Sequence, residues 1–299
     1  MIKKIGSVSW EESNRAAVSP LHIGARGQRE STITGVAWLD DNRFVANHRN
    51  GKRVALFDLR ARMNPVAKAA LPNLTDSVHI RHVAGETWEL ATSDCWEGAY
   101  TRLQLTLSAT PEFELLETVW KNNRSFCHGA TFGPDGRLWL AMNTGRHPRI
   151  EIAGGRSWTL PEPWGCRQVC FDGDSGRAYA VACSNNPKRE AYDEVAASVW
   201  MLDADKDEWT PQLLMKKTHT DAGAVYKGRI WINDQHGDRV LGLDLARRET
   251  PIILKGEFSF PHGIAVSPAG VLAVTNYGTS TITLIDLSSV PEVPALAGA

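Results

Sequence analysis

A repeat returning every roughly 40–50 residues constrains this chain more than any other feature, because that period is the length of one propeller blade. The clearest unit is Phe260-Pro261-His262-Gly263, alternating Ile264-Ala265-Val266, a Ser267-Pro268-Ala269-Gly270 turn, Val271-Leu272-Ala273-Val274, then Asn276-Tyr277-Gly278 and Thr281 to Leu287. Apolar residues at period two, broken by Gly, Pro and Asn, predict three short strands. The unit recurs at Phe126-Cys127-His128-Gly129 with Leu138 to Ala141 and Arg149 to Ile152, and at Thr220-Asp221-Ala222-Gly223 with Ile230 to Asn233 and Arg239 to Leu245. Weaker copies start at Thr34-Gly35, at His79 and at Arg167.

Six copies, aligned on Gly35, His79, His128, Arg167, Asp221 and His262, predict an all-β fold. Specifically, they predict one six-bladed β-propeller domain over residues 1–299, with four-stranded antiparallel blades near 33–72, 78–120, 127–161, 166–216, 220–255 and 261–287. Outer strands such as Val66 to Leu71 and Phe113 to Val119 follow the third strand, but the last blade runs from Leu287 into a Pro/Ala tail, a poor strand. The segment 2–9 is expected to supply the missing strand and close the ring, which removes a free edge.

A 42% hydrophobic, 22% charged chain can bury a sizeable core. A formal net charge of −1 provides no field for nucleic acid or an anionic membrane, so a small molecule is the expected partner. No apolar run has signal-peptide or membrane-spanning length, which points to a cytoplasmic protein. Five cysteines without a CxxC pair read as reduced core thiols.

The segments FPHGIAVSPAGVLAVTNYGTSTITLIDL and FCHGATFGPDGRLWLAMN resemble NHL-type and YVTN-type repeats. More broadly they resemble the six-bladed superfamily that includes regucalcin-like lactonases, strictosidine-synthase-like proteins, virginiamycin B lyase and the peptide-amidating lyase. The resemblance implies the fold and, through the amidating lyase, a metal held by histidines from different blades, here His79, His128 and His262. Regucalcin-like lactonases carry a glutamate before the first blade's Gly; this chain has Thr34 there, a departure that speaks against sugar-lactonase activity.

In a propeller, loops entering the inner strands share one face with loops joining second and third strands. The first set places His79, His128, Arg167, His219, Asp221 and His262 at the channel mouth, and the second places Asn47, Asp94, Asn143, Asn185, Asn186, Asn233 and Asn276 there. Strand propensity does not ask for imidazole at four blade mouths, and neutral imidazole is the commonest metal ligand. His79, His128 and His262 are thus candidate ligands for a divalent zinc, iron or manganese ion, with His128, Asp221 and His79 as candidate catalytic residues. Arg167, Asn47, Asn143, Asn233, Asn276 and Asp94 are candidate substrate contacts, Arg167 suiting an anionic group. Asn after a strand is equally a favoured turn residue. Segments 11–32 (with Arg15, His22, Arg26 and Arg29) and 184–197 read as loops over the same face, Arg124 joins the arginines there, and Trp96 and Trp164 are placed to stack on a ligand. The turns Gly133-Pro134-Asp135-Gly136 and Gly173-Asp174-Ser175-Gly176 fall on the opposite face. Two function classes follow: a small-molecule lyase or hydrolase using channel histidines with or without a metal, and a non-catalytic propeller that binds a ligand or protein.

Overall fold

The computed structural model describes residues 3–9, 33–61, 64–95, 98–120, 126–144, 148–184, 196–245 and 251–291. The described chain opens with β1 (Lys3–Ser9). Blade one is β2 (Ile33–Trp38), β3 (Arg43–His48), β4 (Arg53–Asp58) and β5 (Pro65–Ala70); blade two is β6 (Ser77–Ala84), β7 (Thr87–Asp94), β8 (Ala99–Thr106) and β9 (Glu112–Trp120). Blade three is β10 (Phe126–Phe132), β11 (Leu138–Thr144), β12 (Arg149–Ile152) and β13 (Ser157–Trp158); blade four is β14 (Trp164–Phe171), β15 (Ala178–Ser184), β16 (Ala197–Asp203) and β17 (Glu208–Met215). Blade five is β18 (Gly223–Tyr226), β19 (Arg229–Asp234), β20 (Arg239–Asp244) and β21 (Ile252–Lys255), and blade six is β22 (Pro261–Val266), β23 (Val271–Asn276) and β24 (Thr281–Asp286).

Each sheet is a four-stranded antiparallel meander, and together they form the six-bladed propeller the repeats predict. The sixth takes its outer strand from β1, which pairs antiparallel with β24 from Lys3 opposite Asp286 to Ser9 opposite Thr281. The N-terminal strand therefore closes the ring. Among the described residues the one helical element is the 3-10 turn Leu59–Ala61, and no helix is long and apolar enough to cross a membrane.

The core lies between blades rather than at a single centre. Phe44 and Phe57, stacked at 5.1 Å in blade one, pack with Leu284 of blade six. Val54, Leu56, Leu90 and Leu105 join blades one and two, and Tyr100, Phe132 and Met142 join two and three. Trp139, Trp200 and Trp209 join three and four; Tyr179, Ile230 and Leu243 join four and five; Trp231, Leu254 and Ile264 join five and six. Burying each large apolar side chain stabilises by about 1.5–3 kcal/mol, so every blade depends on its neighbours. Cys95, Cys127, Cys166, Cys170 and Cys183 form no disulfide, and burial pushes the Cys170 thiol up to about 12 and the Cys183 thiol up to about 11.

Candidate functional site

Six residues, one per blade, stand at or next to the start of the inner strands: Thr34, Asp76, His128, Arg167, Asp221 and His262. In β2, β10, β14 and β22 the ladder is irregular at this point, between Ile33 and Val36, Cys127 and Gly129, Cys166 and Gln168, and Pro261 and Ile264. A bulge of this kind re-aims a side chain, here away from regular pairing. The glycines that follow have a steric cause: a Cβ on Gly129 would lie 2.6 Å from Arg167 O, and one on Gly35 2.6 Å from Val78 N. Neighbouring inner strands thus touch backbone to backbone at the mouth. His128 Nδ1 bonds the Arg167 carbonyl at 3.1 Å and His262 Nδ1 bonds the Thr34 carbonyl at 3.0 Å, so each His-Gly pair clips one blade to the next.

Those bonds decide what the outer nitrogens present. A carbonyl can only accept, so each Nδ1 is the donor, and in a neutral ring Nε2 then carries a lone pair. Both Nε2 atoms face Asp221: His128 Nε2 lies 3.3 Å from Oδ1 and His262 Nε2 3.5 Å from Oδ2. The two rings stack at 5.8 Å with an interplanar angle of 17°. Arg167 Nε and His219 Nε2 stand 3.6 and 3.7 Å from Oδ1, and Gln235 donates to Oδ2. Oδ1 meets no hydrogen-bond donor in good geometry among the described residues. Burial pushes the Asp221 carboxyl up, but the imidazoles of His128 and His262 and the Arg167 guanidinium outweigh it and hold the carboxyl well below its usual range. Burial lowers His262, and it lowers His219 to about 4, against the opposing pull of Asp221. At neutral pH the cluster combines a carboxylate with uncharged rings at His262 and His219.

Among the described residues His128, Asp221 and His262 are the three whose ligand-type atoms all lie within 4.8 Å of one another. They line one cavity at the mouth together with Asp76 and Gln168. Asp76 is the second carboxylate lining this cavity, and its partners differ. Arg49 Nε stands 2.8 Å from its Oδ1, both side chains being buried, and the Cys95 amide donates to Oδ2 at 2.7 Å. Burial raises the Asp76 carboxyl, but Arg49 and then His128 bring it down to about 2.

The structure brings only part of the expected site together. His79 does not join the cluster: the blade-two position of the ring is Asp76, three residues earlier, while the His79 ring packs near Phe132 and its Nδ1 accepts the Phe132 amide at 3.2 Å. Asn47, Asn233 and Asn276, expected as ligand contacts, spend their amides inside the protein. Asn47 accepts from the Gly35 amide and donates to Thr34 Oγ1 at 2.8 Å and Thr75 O at 2.9 Å; Asn233 accepts from the Ala222 amide at 2.9 Å and donates to Pro261 O at 2.7 Å. Each ties its own inner strand to the segment just before the next ring residue. Asn276 accepts from the Ser259 amide at 3.2 Å and donates to Thr283 Oγ1 at 2.8 Å. Asn143 and Asp94 are buried as well, and Trp164 packs against Trp200 in the core between blades three and four. Asn185, Asn186, Trp96, Arg124, residues 11–32 and most of 184–197 lie outside the described residues.

Sequence reasoning missed Asp76, Arg49 and Gln235. A signal for Asp76 was present: Thr75-Asp76-Ser77 matches Thr220-Asp221-Ala222, and in each the Thr hydroxyl bonds the carbonyl two residues on, at 3.2 and 3.3 Å.

No protein-family model matches the sequence, and no curated protein matches it. Solved structures do match over most of the chain. A luciferin-regenerating enzyme aligns with a TM-score of 0.62 at 12% identity, over 89% of this chain and 94% of its own. The chain has the six-bladed propeller fold. The PQQ-bound aldose sugar dehydrogenase of Streptomyces coelicolor aligns with a TM-score of 0.61 at 12% identity, covering 95% and 97%, and a catalytically inactive histidine-to-alanine variant of virginiamycin B lyase from Staphylococcus aureus, with quinupristin, aligns at 0.56 and 13%, covering 93% and 84%. At such identities the likeness carries the fold alone.

Proposed function

We propose that this propeller is an enzyme acting on a small molecule at its channel mouth, a lyase or hydrolase assisted by a divalent metal that His128, Asp221 and His262 would hold. One observation carries the reading: two imidazoles whose Nδ1 atoms are spent on carbonyls direct Nε2 at a buried carboxylate, 3.3 and 3.5 Å away. Three ligand-type atoms on buried side chains, all within 4.8 Å of one another, suit a cation between them. The donor set fits one. A buried set of two imidazole nitrogens and a carboxylate suits zinc, iron or manganese over calcium. Such an ion supplies Lewis-acid activation of a carbonyl or an acidified water.

The protein's own groups do the rest. The Arg167 and Thr34 carbonyls fix the tautomer and aim of the two rings, the usual outer-shell device of metal-binding histidines. Gln235 orients the carboxylate. Arg167, beside Asp221, would receive an anionic group of the substrate. A metal-free version rests on the same 3.3 Å contact, with His128 and Asp221 as an acid–base pair.

Elemental analysis of protein purified without chelator, as wild type, His128→Ala, His262→Ala and the double variant, tests the proposal. One equivalent of transition metal in the wild type, largely lost in each single variant and little lower in the double, is expected, since one broken site cannot be broken twice. A metal-free wild type would move the function to the acid–base pair or to a non-catalytic binding propeller.

A further inference from the structure

The aromatic side chains beside the cluster form a continuous arc. His262 stacks on Tyr277 at 5.9 Å, Tyr277 meets Phe260 at 5.7 Å, Phe260 meets His236 at 6.0 Å and His236 meets His219 at 5.2 Å. Through His128, stacked on His262, and through His219, both ends of the arc return to Asp221.

Phe260, at its middle, has φ +51°, a left-handed backbone that bulky side chains avoid and that Gly or Asn adopts at little cost. The conformation is held from two sides: the Phe260 amide donates to Asp238 Oδ1 at 2.9 Å, and its carbonyl accepts the Tyr277 amide at 3.1 Å. Asp238 is itself left-handed, at φ +46°. Phe258, two residues earlier, is buried in the core between blades five and six, whereas Phe260 is half-buried and belongs to no core cluster. A strained aromatic that packs no core points to a role at the site.

We infer that Phe260 and Tyr277 form a stacking platform for a flat, conjugated or aromatic part of the substrate, whose polar end reaches His128, Asp221 and His262. The inference rests on the active site proposed above and adds the chemical class of what it takes. Rings at 4.5–7 Å gain from offset and edge contacts beyond the area they bury, a gain that saturated chains do not share. Arg49 and Arg167 stand beside Asp76 and Asp221 and offset the charge of those two carboxylates.

Two hydroxamates with the same chelating group separate the platform from the metal: benzohydroxamate carries a ring, acetohydroxamate a methyl. Binding of each is measured by calorimetry to Zn2+-supplemented wild type, Phe260→Ala and Phe260→Asn, with Tm and metal content for all three. The wild type should prefer the ring by about tenfold, and both variants should bring the preference within about twofold while acetohydroxamate binding holds. Tm of Phe260→Asn should equal or exceed that of the wild type, because Asn tolerates the left-handed backbone. Equal binding of the two probes to the wild type, a preference that survives both variants, or a fall in Tm of Phe260→Asn overturns the platform. If metal is stoichiometric in these cases the metal site stands without it; no metal and no binding of either hydroxamate sinks both.

Discussion

Asp76 in blade two and Asp221 in blade five occupy the same place in their repeats, each after a Thr and before a small residue, and each is buried at the channel mouth. Their partners separate them. Asp76 has a guanidinium at 2.8 Å and a backbone amide at 2.7 Å, which is a closed ion pair. Asp221 has Gln235, two imidazole nitrogens at 3.3 and 3.5 Å, and Arg167 at 3.6 Å. The difference lies in the partner and where it comes from: Arg49, two residues after Asn47, reaches Asp76 from the preceding blade, whereas Gln235, two residues after Asn233, reaches Asp221 from the same blade. A cation there neutralises one carboxylate permanently, while an amide leaves the other to be neutralised by protons, metal or substrate. The repeat places the carboxylate; its partner decides whether it is structure or chemistry.

The largest effect should come from stranding Asp76. Arg49→Met leaves a buried, uncompensated carboxylate and should cost about 3–5 kcal/mol in denaturant unfolding, with Asp76→Asn in the same chain restoring most of it. A loss under about 1 kcal/mol would mean the pair is not closed. Removing the corresponding partner in blade five should cost less: Gln235→Ala takes away one hydrogen bond to a charged group, about 1.5–3 kcal/mol, and added zinc should recover part of it.

Acid should resolve two windows. The buried His79, lowered to about 4, stays neutral while the unfolded chain's histidine takes up a proton below about 6.5, so stability should fall by up to about 3 kcal/mol between pH 6.5 and 4. His79→Gln should make that window shallower by the share of His79, leaving the shares of His219 and His262. Asp76, held at about 2 by Arg49, contributes stability that is complete above about pH 4 and lost as pH falls through about 2, worth about 2 kcal/mol, and the Arg49→Met/Asp76→Asn double variant should make this lower window shallower, Asp221 keeping its own share, while the upper window stays. A wild-type stability that stays flat from pH 6.5 to 2 would contradict both assignments.

The same comparison explains what the sequence made legible. Period-two strands and turn residues placed all six blades, and the strand missing after Leu287 foretold the pairing of β1 with β24. His128, Asp221 and His262 share the mouth because their repeats are strong. His79 lies off the ring because blade two lacks the His-Gly or Thr-Gly pair that marks the register in blades one, three and six, and its imidazole drew the alignment three residues past Asp76. The asparagines looked like ligands because their register matches the histidines, but whether an amide faces a channel or the neighbouring backbone depends on the contact between blades, which no single repeat contains. Arg49 was invisible for the same reason, since its partner lies in the next blade.

Calorimetric titration of Mn2+ or Zn2+ into chelator-stripped protein tests the division between the two carboxylates most directly. The wild type should bind one equivalent, Asp221→Asn should bind at least about 100-fold more weakly, and the Arg49→Met/Asp76→Asn double variant should bind within a few-fold of the wild type. Metal binding that survives Asp221→Asn and disappears with the Asp76 pair would contradict the assignment.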